Sequence, residues 1–457
     1  YCMMDVEILA VALLRFRELY GQLCGVDPRT IELPLTTASA AYRIWCSMSW
    51  PEHWQYTTKK GSIRRVASCN PEFNDVFRMS QVGGQVRLIN SHPGVIVTGG
   101  IVSYDANSMY PSEMLNHTFP DIKGGWWNGG TISELQYQIE REDRVCLADV
   151  RMRAGPDAYL GAPNINDEGR RQWDLPHFDG WMCGPEIQFL VENGWDVERV
   201  GRIANFPAMR PFQQYIRTMY DMRMRMRAEG DPSAFMVKIL MNALFGRYAI
   251  RSRPNRIDGQ ALVALRERDD FIDKLRCGVY ELGFYDGTSA NWPYVLDYSN
   301  YGRPPGSQWF GFSSFILSRA RISLGKAIIA AGDDALYCDT DSVHMRQSAQ
   351  SRFEELVSIG DDLGQWKCET PEVVPYARYW EPKCYTWMDE NMGLETVKQK
   401  GMRIRDDDGN FLAQAGNLTM KQEMRTTVSL YEGLRRDMTP GDEMYVEKRS
   451  RRFYRGD

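Results

Sequence analysis

The chain has no long apolar run. None of its 457 residues fall in a stretch approaching the roughly 20 apolar residues that a membrane-spanning helix needs. The Val6–Leu14 segment is apolar but short, and Arg15, Arg17 and Glu18 follow it directly, so it reads as a core helix and no membrane association is expected. No two of the ten cysteines make a C-x-x-C pair, and the five histidines form no ligand-spaced cluster. That excludes the familiar zinc patterns, and scattered thiols fit a soluble protein of a reducing compartment, such as the cytoplasm of an infected host or an organelle. A signal-peptide pattern is missing too, and the first residue is Tyr1 rather than Met, which fits a fragment or a processed product. There is no internal repeat and no low-complexity tract. Nor is there an excess of basic charge: 55 Lys and Arg stand against 60 Asp and Glu, a net −5. This argues weakly against nucleic acid, because phosphate binding favours basic surfaces. Distribution matters more than the sum. Four arginines lie between Arg217 and Arg227, and five basic residues between Lys448 and Arg455; taken alone, each run reads as a solvated face.

What is present reads as a mixed α+β chain. At about 150 residues per domain, the length suggests roughly three modules. Residues 5–24 read as a helix, and residues 51–95 as mixed and turn-rich. Residues 94–105 read as β-structure ending in a carboxylate, and a helix is expected to start soon after Pro111, because proline suits a first turn. Residues 117–206, rich in Gly, Pro, Trp and Asp, look like an inserted module. Helices are expected over 209–229 and 232–249, separated by the stop-and-start signal Glu229-Gly230-Asp231-Pro232. Residues 251–308 are again turn-rich, 311–331 read as a helix, and 335–346 as a hairpin with Asp339-Thr340-Asp341 at its turn. The last 55 or so residues are charged and read as mostly helical.

Three segments carry chemistry. In Tyr337-Cys338-Asp339-Thr340-Asp341-Ser342, two aspartates two apart on a tight hairpin project close together. Such a pair repels unless a cation lies between them or one is protonated, and magnesium suits oxygen ligands while leaving positions for water and phosphate. In Asp105-Ala106-Asn107-Ser108-Met109-Tyr110-Pro111-Ser112, an aspartate ends a strand and a turn runs toward a helix, where backbone N–H groups can cradle phosphates. In Lys238 to Gly246, residues Lys238, Asn242 and Phe245 share one helical face and can meet a phosphate, a sugar and a base. Taken singly, an acidic turn, a helix-capping segment and an amphipathic helix with a solvated lysine are the plainer readings.

Taken together, their order and wording resemble family B DNA polymerases, whose motifs read D-x-x-S-L-Y-P-S, K-x-x-x-N-S-x-Y-G and Y-x-D-T-D-S. This chain departs at Met109, Ala243 and Phe245, and the last of these loses a hydroxyl. The resemblance runs from residue 1 to about residue 430 and implies a right-hand fold of palm, fingers and thumb. It implies catalytic Asp105, Asp339 and Asp341, with metal held by Asp105, Ala106 and Asp341. Asp339 lies beside the metal ligands and acts more indirectly. Two Mg²⁺ ions, or Mn²⁺, are the expected cofactors. It also implies nucleotide contacts from Ser108, Met109, Tyr110, Arg223, Arg227, Lys238, Asn242 and Phe245, with Tyr110 excluding a 2′-OH. DNA contacts are expected from Gly83, Gly84, Gly246, Arg321, Lys383, Tyr385 and Lys400. Lys383 and Tyr385 match a K-x-Y motif, and Lys400-Gly401 matches the turn into the thumb. Gln81-Val82-Gly83-Gly84 stands where Y-x-G-G is usual, with Gln81 replacing the tyrosine. Tyr1 and Asp5 resemble the last exonuclease motif, Y-x-x-x-D, which is common by chance.

The spacing further resembles the protein-primed viral and organellar branch, which carries insertions called TPR1 and TPR2; a nucleic-acid-primed member with unrelated insertions is the alternative. The implied division is an exonuclease remnant (1–50), first palm part (51–116), TPR1-like insertion (117–206), fingers (207–250), TPR2-like insertion (251–308), second palm part (309–400) and thumb (401–457). The expected partners of a monomeric enzyme are primer-template DNA, dNTPs and a terminal priming protein. Two rivals stand against this: a non-catalytic DNA-binding or priming scaffold, which has no reason to keep the carboxylates, and an RNA-making or RNA-templated polymerase, the first of which Tyr110 disfavours.

Overall fold

The computed structural model describes residues 2–57, 63–65, 71–165, 171–248, 255–257, 259–268, 271, 280–284, 293–297, 309–399, 421–426 and 444–449. Tyr1 and Lys400 lie outside these, as do the side chain of Asp5 and most of 251–308 and 401–457. Helix α1 (Cys2–Cys24) leads into α2 (Thr37–Ser49), where Thr36 caps the first turn by accepting from the Ser39 N–H. A third helix, α3 (Pro71–Ser80), falls in the stretch read as turn-rich; Pro71 occupies its first position, where a missing N–H costs nothing.

Next come the strands β1 (Val86–Leu88), β2 (Ile96–Val97) and β3 (Ile101–Ala106), then α4 (Met109–Asn116). This helix starts two residues before Pro111 rather than after it. Proline still sits in the first turn, where no intrahelical donor is lost. An insertion follows. Its antiparallel sheet is built from β4 (Arg144–Ala154), β5 (His177–Cys183) and β6 (Trp195–Met209), with Phe119–Pro120 and Trp126–Asn128 on β6. Helix α5 (Ile132–Ile139) precedes β4, and α6 (Gly184–Glu192) lies between β5 and β6. The buried face of this sheet shares one apolar cluster with the β3 side chains Val102 and Tyr104, so insertion and palm are one packed body.

Helices α7 (Gln213–Ala228) and α8 (Ser233–Tyr248) form the expected pair. Gly230, at φ +71°, turns the chain, and the Asp231 carboxylate accepts from the Ser233 N–H at 2.8 Å. In α8 the buried residues Val237, Leu240, Met241, Leu244 and Tyr248 make one stripe, and Lys238 is left exposed. In the 251–308 range the described residues comprise α9 (Gly259–Arg266) and a three-stranded sheet of Asn255–Ile257, Pro293–Asp297 and Tyr280–Phe284.

Helix α10 (Phe310–Ala331) is buried along nearly its whole length; a helix apolar all round belongs in a core. Trp309 and Phe312 at its start join Trp45, Trp54, Phe212 and Tyr248 in an aromatic cluster with neighbouring centroids 5.0–6.4 Å apart. Strands β7 (Ala335–Asp339) and β8 (Ser342–Arg346) make the expected hairpin; α11 (Gln350–Leu356) and β9 (Trp366–Cys368) follow. The palm sheet runs β9-β3-β8-β7-β1, all antiparallel. A second sheet, β12 (Leu394–Gln399), β11 (Cys384–Met388), β10 (Tyr376–Glu381) and β2, packs through Tyr379 and Tyr385 against Leu336 and Tyr337. No helix among the described residues is long and apolar enough to cross a membrane.

Further expectations are corrected. The apolar segment read as a core helix is not buried: Ile8, Leu9, Val11, Leu13 and Leu14 of α1 are exposed. The described residues after 401 are not helical: Lys421–Thr426 and Met444–Arg449 pair as antiparallel strands. Charge density reports solvent exposure and carries no period, so it cannot tell a helix from a ribbon. Arg321, expected to touch DNA, is buried. Its guanidinium meets both oxygens of Glu186 at 2.6 and 2.5 Å and donates to the Val82 and Gly83 carbonyls, so its N–H groups are committed inside the protein. It ties α10 to α6 and to the 81–85 loop. Breaking a buried pair strands the surviving charge. We expect Arg321→Met to destabilise the fold by about 3 kcal/mol, and the double variant Arg321→Met/Glu186→Leu to recover much of that loss. Urea unfolding of the four-member cycle measures it, and additive losses would mean the pair is not coupled.

Candidate active site

The site is built by strand register. Ser342 on β8 stands opposite Asp105 on β3, and the Ala106 N–H donates to the Asp341 carbonyl at 2.8 Å. Asp105 near the end of β3 and Asp341 in the β7–β8 turn therefore lie side by side at one end of the palm sheet. Between Asp339 and Asp341 the chain reverses at Thr340, at φ 64°. This residue donates its N–H to the Gln85 carbonyl at 2.8 Å. Gly84 packs so tightly on the hairpin tip that a Cβ would lie 2.8 Å from the Thr340 methyl. A methyl group does not fit there, so Gly84 has a structural reason of its own beside the expected DNA contact. Gly83 and Gly246 instead face open space. Gln81, where the motif has tyrosine, is buried and donates to the Ser313 hydroxyl at 3.0 Å.

The electrostatics follow from this crowding. Burial pushes the Asp105 carboxyl up to about 7, with Asp341, Glu369 and Asp339 adding to the rise and Lys238 opposing it. Asp341 is likewise raised, first by burial and then by Asp339. Asp339 differs: Lys383 Nζ lies 2.7 Å from both its oxygens. Lys383, itself in the left-handed region at φ 62°, donates its N–H to the Tyr337 hydroxyl at 3.0 Å. Its ammonium is thus spent on a carboxylate. Tyr385 is buried against Tyr337 and His344, with centroids 5.5 and 5.0 Å away. Burial holds His344 neutral, with its pKa down to about 3.

The side of the site that the sequence reading assigns to the nucleotide is formed by α4 and α8. Ser108 caps α4 in the left-handed region and makes no side-chain cap bond. The 360–365 loop braces this turn: Asn107 N–H donates to the Gln365 carbonyl at 2.9 Å, Asn107 Nδ2 to the Gly360 carbonyl at 2.9 Å, and Gly364 N–H to the Asn107 carbonyl at 2.8 Å. Met109 is buried, so only its backbone can meet a ligand. The Tyr110 ring stacks on Phe245 at 4.4 Å and 23°, and burial raises the Tyr110 hydroxyl to about 12. This stack brings α8 to α4. Lys238, on the same face as Asn242 and Phe245, acts electrostatically on Asp105. On α7, Arg223 is half-buried, and its pKa is lowered by burial and by Arg227. Arg227 acts on Asp361, while Tyr220 donates to Asp362 at 3.0 Å.

The sequence reading missed Glu369, the Lys383–Asp339 pair and the 360–365 brace. Each depends on a partner remote in sequence, and none has a local signature. Among the described residues no group of three or more His, Cys, Asp or Glu side chains clusters as a metal cage. The donors are two carboxylates with the Ala106 backbone beside them. That fits magnesium, which is held by one or two carboxylates with water and phosphate completing the shell; a cation also relieves the repulsion that raises both groups.

Comparison with known proteins places the chain. It belongs to the organellar and viral type B DNA polymerases, whose family model matches residues 1–258. It is 26% identical over 304 residues to the DNA-directed DNA polymerase of Enterobacteria phage PRD1, covering 65% of this chain and 48% of the relative. It is 24% identical over 218 residues to a probable DNA polymerase of Neurospora intermedia, covering 44% of this chain and 21% of that protein. The chain thus spans about half the length of the phage relative, or less for the fungal one. Its fold is that of Phi29 DNA polymerase. Against the ternary complex with primer-template DNA and incoming nucleotide, the TM-score is 0.60 at 17% identity, covering 91% of this chain and 67% of that one. An orthorhombic crystal form of the same polymerase gives 0.59 at 16%, covering 81% and 61%.

The raised carboxylate sets a pH dependence. In metal-free protein, Asp105 binds its proton more tightly folded than unfolded, so stability falls as pH rises from about 4 to about 7. We expect Asp105→Asn to raise stability at pH 8 by about 1–2 kcal/mol, allowing for the solvent that still reaches the group. It should have no such effect at pH 4. Urea unfolding in chelator at the two pH values checks this, and equal effects at both would refute it.

Proposed function

We propose that the chain is the synthetic part of a template-directed DNA polymerase that adds dNTPs to a primer 3′-OH. The observation that carries this reading is the register pairing of Asp105 with the Asp341 hairpin, with Lys238 and Tyr110 within electrostatic reach. Asp105 and Asp341, with the Ala106 carbonyl, hold two Mg²⁺ ions, or Mn²⁺. When bound, such ions lower the pKa of an attacking hydroxyl and neutralise a triphosphate and its leaving group. Asp339 acts indirectly by fixing Lys383 beside the primer end. The Ser108–Tyr110 backbone and Lys238 hold the triphosphate, with Arg223 and Arg227 closing on it. Asn242 and the Phe245 ring face the sugar and base. Because Tyr110 stacks on Phe245, its ring is held where a ribose 2′-OH points.

The protein-primed branch is the finer part of this proposal. The sheet-bearing insertion after α4, within 117–206, supports it, as does the match to organellar and viral polymerases. In that reading a terminal protein presents its own hydroxyl at the primer end, docking beside the first insertion; the second insertion, 251–308, acts on the DNA. Gly83 and Gly84 then face the template strand, Gly246 the nascent pair, and Tyr385 with Lys400 the primer. Tyr1 and Asp5 are the tail of an exonuclease module.

Two measurements test the site. Asp105→Asn and Asp341→Asn are each expected to cut primer extension by about a thousandfold while primer-template binding persists; near-normal extension by either would end the assignment. Tyr110→Val should raise ribonucleotide over deoxynucleotide incorporation by about tenfold. Phe245→Ala should move the ratio in the same direction by freeing the Tyr110 ring. If both leave the ratio unchanged, the sugar gate lies elsewhere.

A further inference from the structure

Behind α4 lies a pocket that the catalytic reading does not use. It has a volume of about 430 Å³ and is lined by residues of four elements and the segments joining them. Four arginines line it: Arg141, Arg144, Arg210 and Arg319. Helix α4 runs from the Ser108–Tyr110 turn at its N-terminal end to Thr118, in the pocket wall, just past its C-terminal end. At 1.5 Å per residue, its eight residues hold the pocket about 12 Å from that turn. Arg319 and Arg321 are two apart on α10, so they project to nearly opposite sides: Arg321 to Glu186 and the 81–85 loop, Arg319 to the pocket.

The charges in the wall do not cancel. Asp143 accepts from Arg141 at 3.0 and 3.4 Å and from Arg144 at 3.2 and 3.0 Å, which offsets part of those two charges. Glu142 is the one acidic residue in the lining itself. Glu113 attracts Arg319, but its oxygens already meet Ser323 at 2.6 Å and His117 at 3.0 Å. Among the described residues Arg210 donates to the Asn116 carbonyl at 3.2 Å, and a guanidinium carries further donors. Arg319 is the informative residue. Its Nε is buried with no hydrogen-bond partner among the described residues, and burial draws its pKa down from the usual value. A guanidinium drawn out of water with one donor unpaired is costly, and an anion beside this arginine would offset that cost. Helix α6 adds to this: Gly184 and Pro185 of its first turn line the pocket, and its N-cap, Cys183, offers no side-chain bond, so the positive end of that dipole faces the same space.

We propose that this pocket is a phosphate-binding site separate from the catalytic carboxylates. Guanidinium forks match phosphate oxygens in pairs, and the volume lies within the range of small-ligand sites, large enough for a pyrophosphate or a nucleotide. The phosphate comes either from such a free anion or from the backbone of a DNA strand. Neither case needs Asp105 or Asp341, so the inference stands apart from the polymerase reading.

The test is calorimetric titration of the full chain in chelator with inorganic pyrophosphate, and separately with a single-stranded oligothymidylate. Arg319→Gln and Arg210→Gln should each weaken a shared binding component by about tenfold, while Lys238→Ala leaves that component intact. Loss with pyrophosphate identifies a free-anion site. Loss with the oligonucleotide alone identifies a strand contact. Arg210 is exposed, so its variant keeps the test valid if Arg319→Gln unfolds, which a thermal melt reports. Affinities for both probes that do not change in the folded variants would overturn the proposal, as would a parent chain that binds neither.

Discussion

The constraint on which the site depends is the antiparallel register between Ile101–Ala106 and the Ala335–Arg346 hairpin. It sets Ser342 against Asp105 and so brings Asp341 beside Asp105, two half-buried carboxylates that repel each other. A one-residue slip would turn every side chain of a strand to the opposite face and bury Asp105 in place of Tyr104. The sheet resists that slip because both of its faces are packed: Val102, Tyr104 and Ala106 lie in one apolar cluster, and Ile101 in another. Packing energy thus holds an electrostatically unfavourable pair in place, and a cation between the two would relieve that repulsion.

The surrounding structure adds supports in layers. Lys383 satisfies Asp339 from the neighbouring sheet, setting it apart from Asp105 and Asp341. Arg321 and Glu186 lock the central helix to the insertion and to the loop that carries Gly84. The 360–365 loop braces the Asn107–Ser108 turn and, through Asp362, touches Tyr220 of the arginine-bearing helix. Tyr110 and Phe245 stack where that helical pair meets α4, and Tyr215, Ile216, Val237 and Leu244 of the pair share one core with Phe312, Phe315 and Ile316 of the central helix.

Local chemistry was legible in the sequence by itself. The hairpin around Asp339-Thr340-Asp341, the strand ending at Asp105 and the helix carrying Lys238, Asn242 and Phe245 all follow from periodicity, turn residues and spacing, and their order along the chain was enough to name a family. Tertiary structure alone decided how charges are used. Arg321 reads as a DNA contact by resemblance, yet burial and Glu186 turn it into a structural tie. Lys383 reads as a strand-binding lysine, yet it neutralises Asp339. Glu369 and the pocket arginines carry no sequence mark at all. That Lys421–Thr426 is a strand also depended on its pairing partner, Met444–Arg449. Period and turn chemistry are properties of neighbouring residues, whereas burial and charge pairing are set by residues that folding brings together.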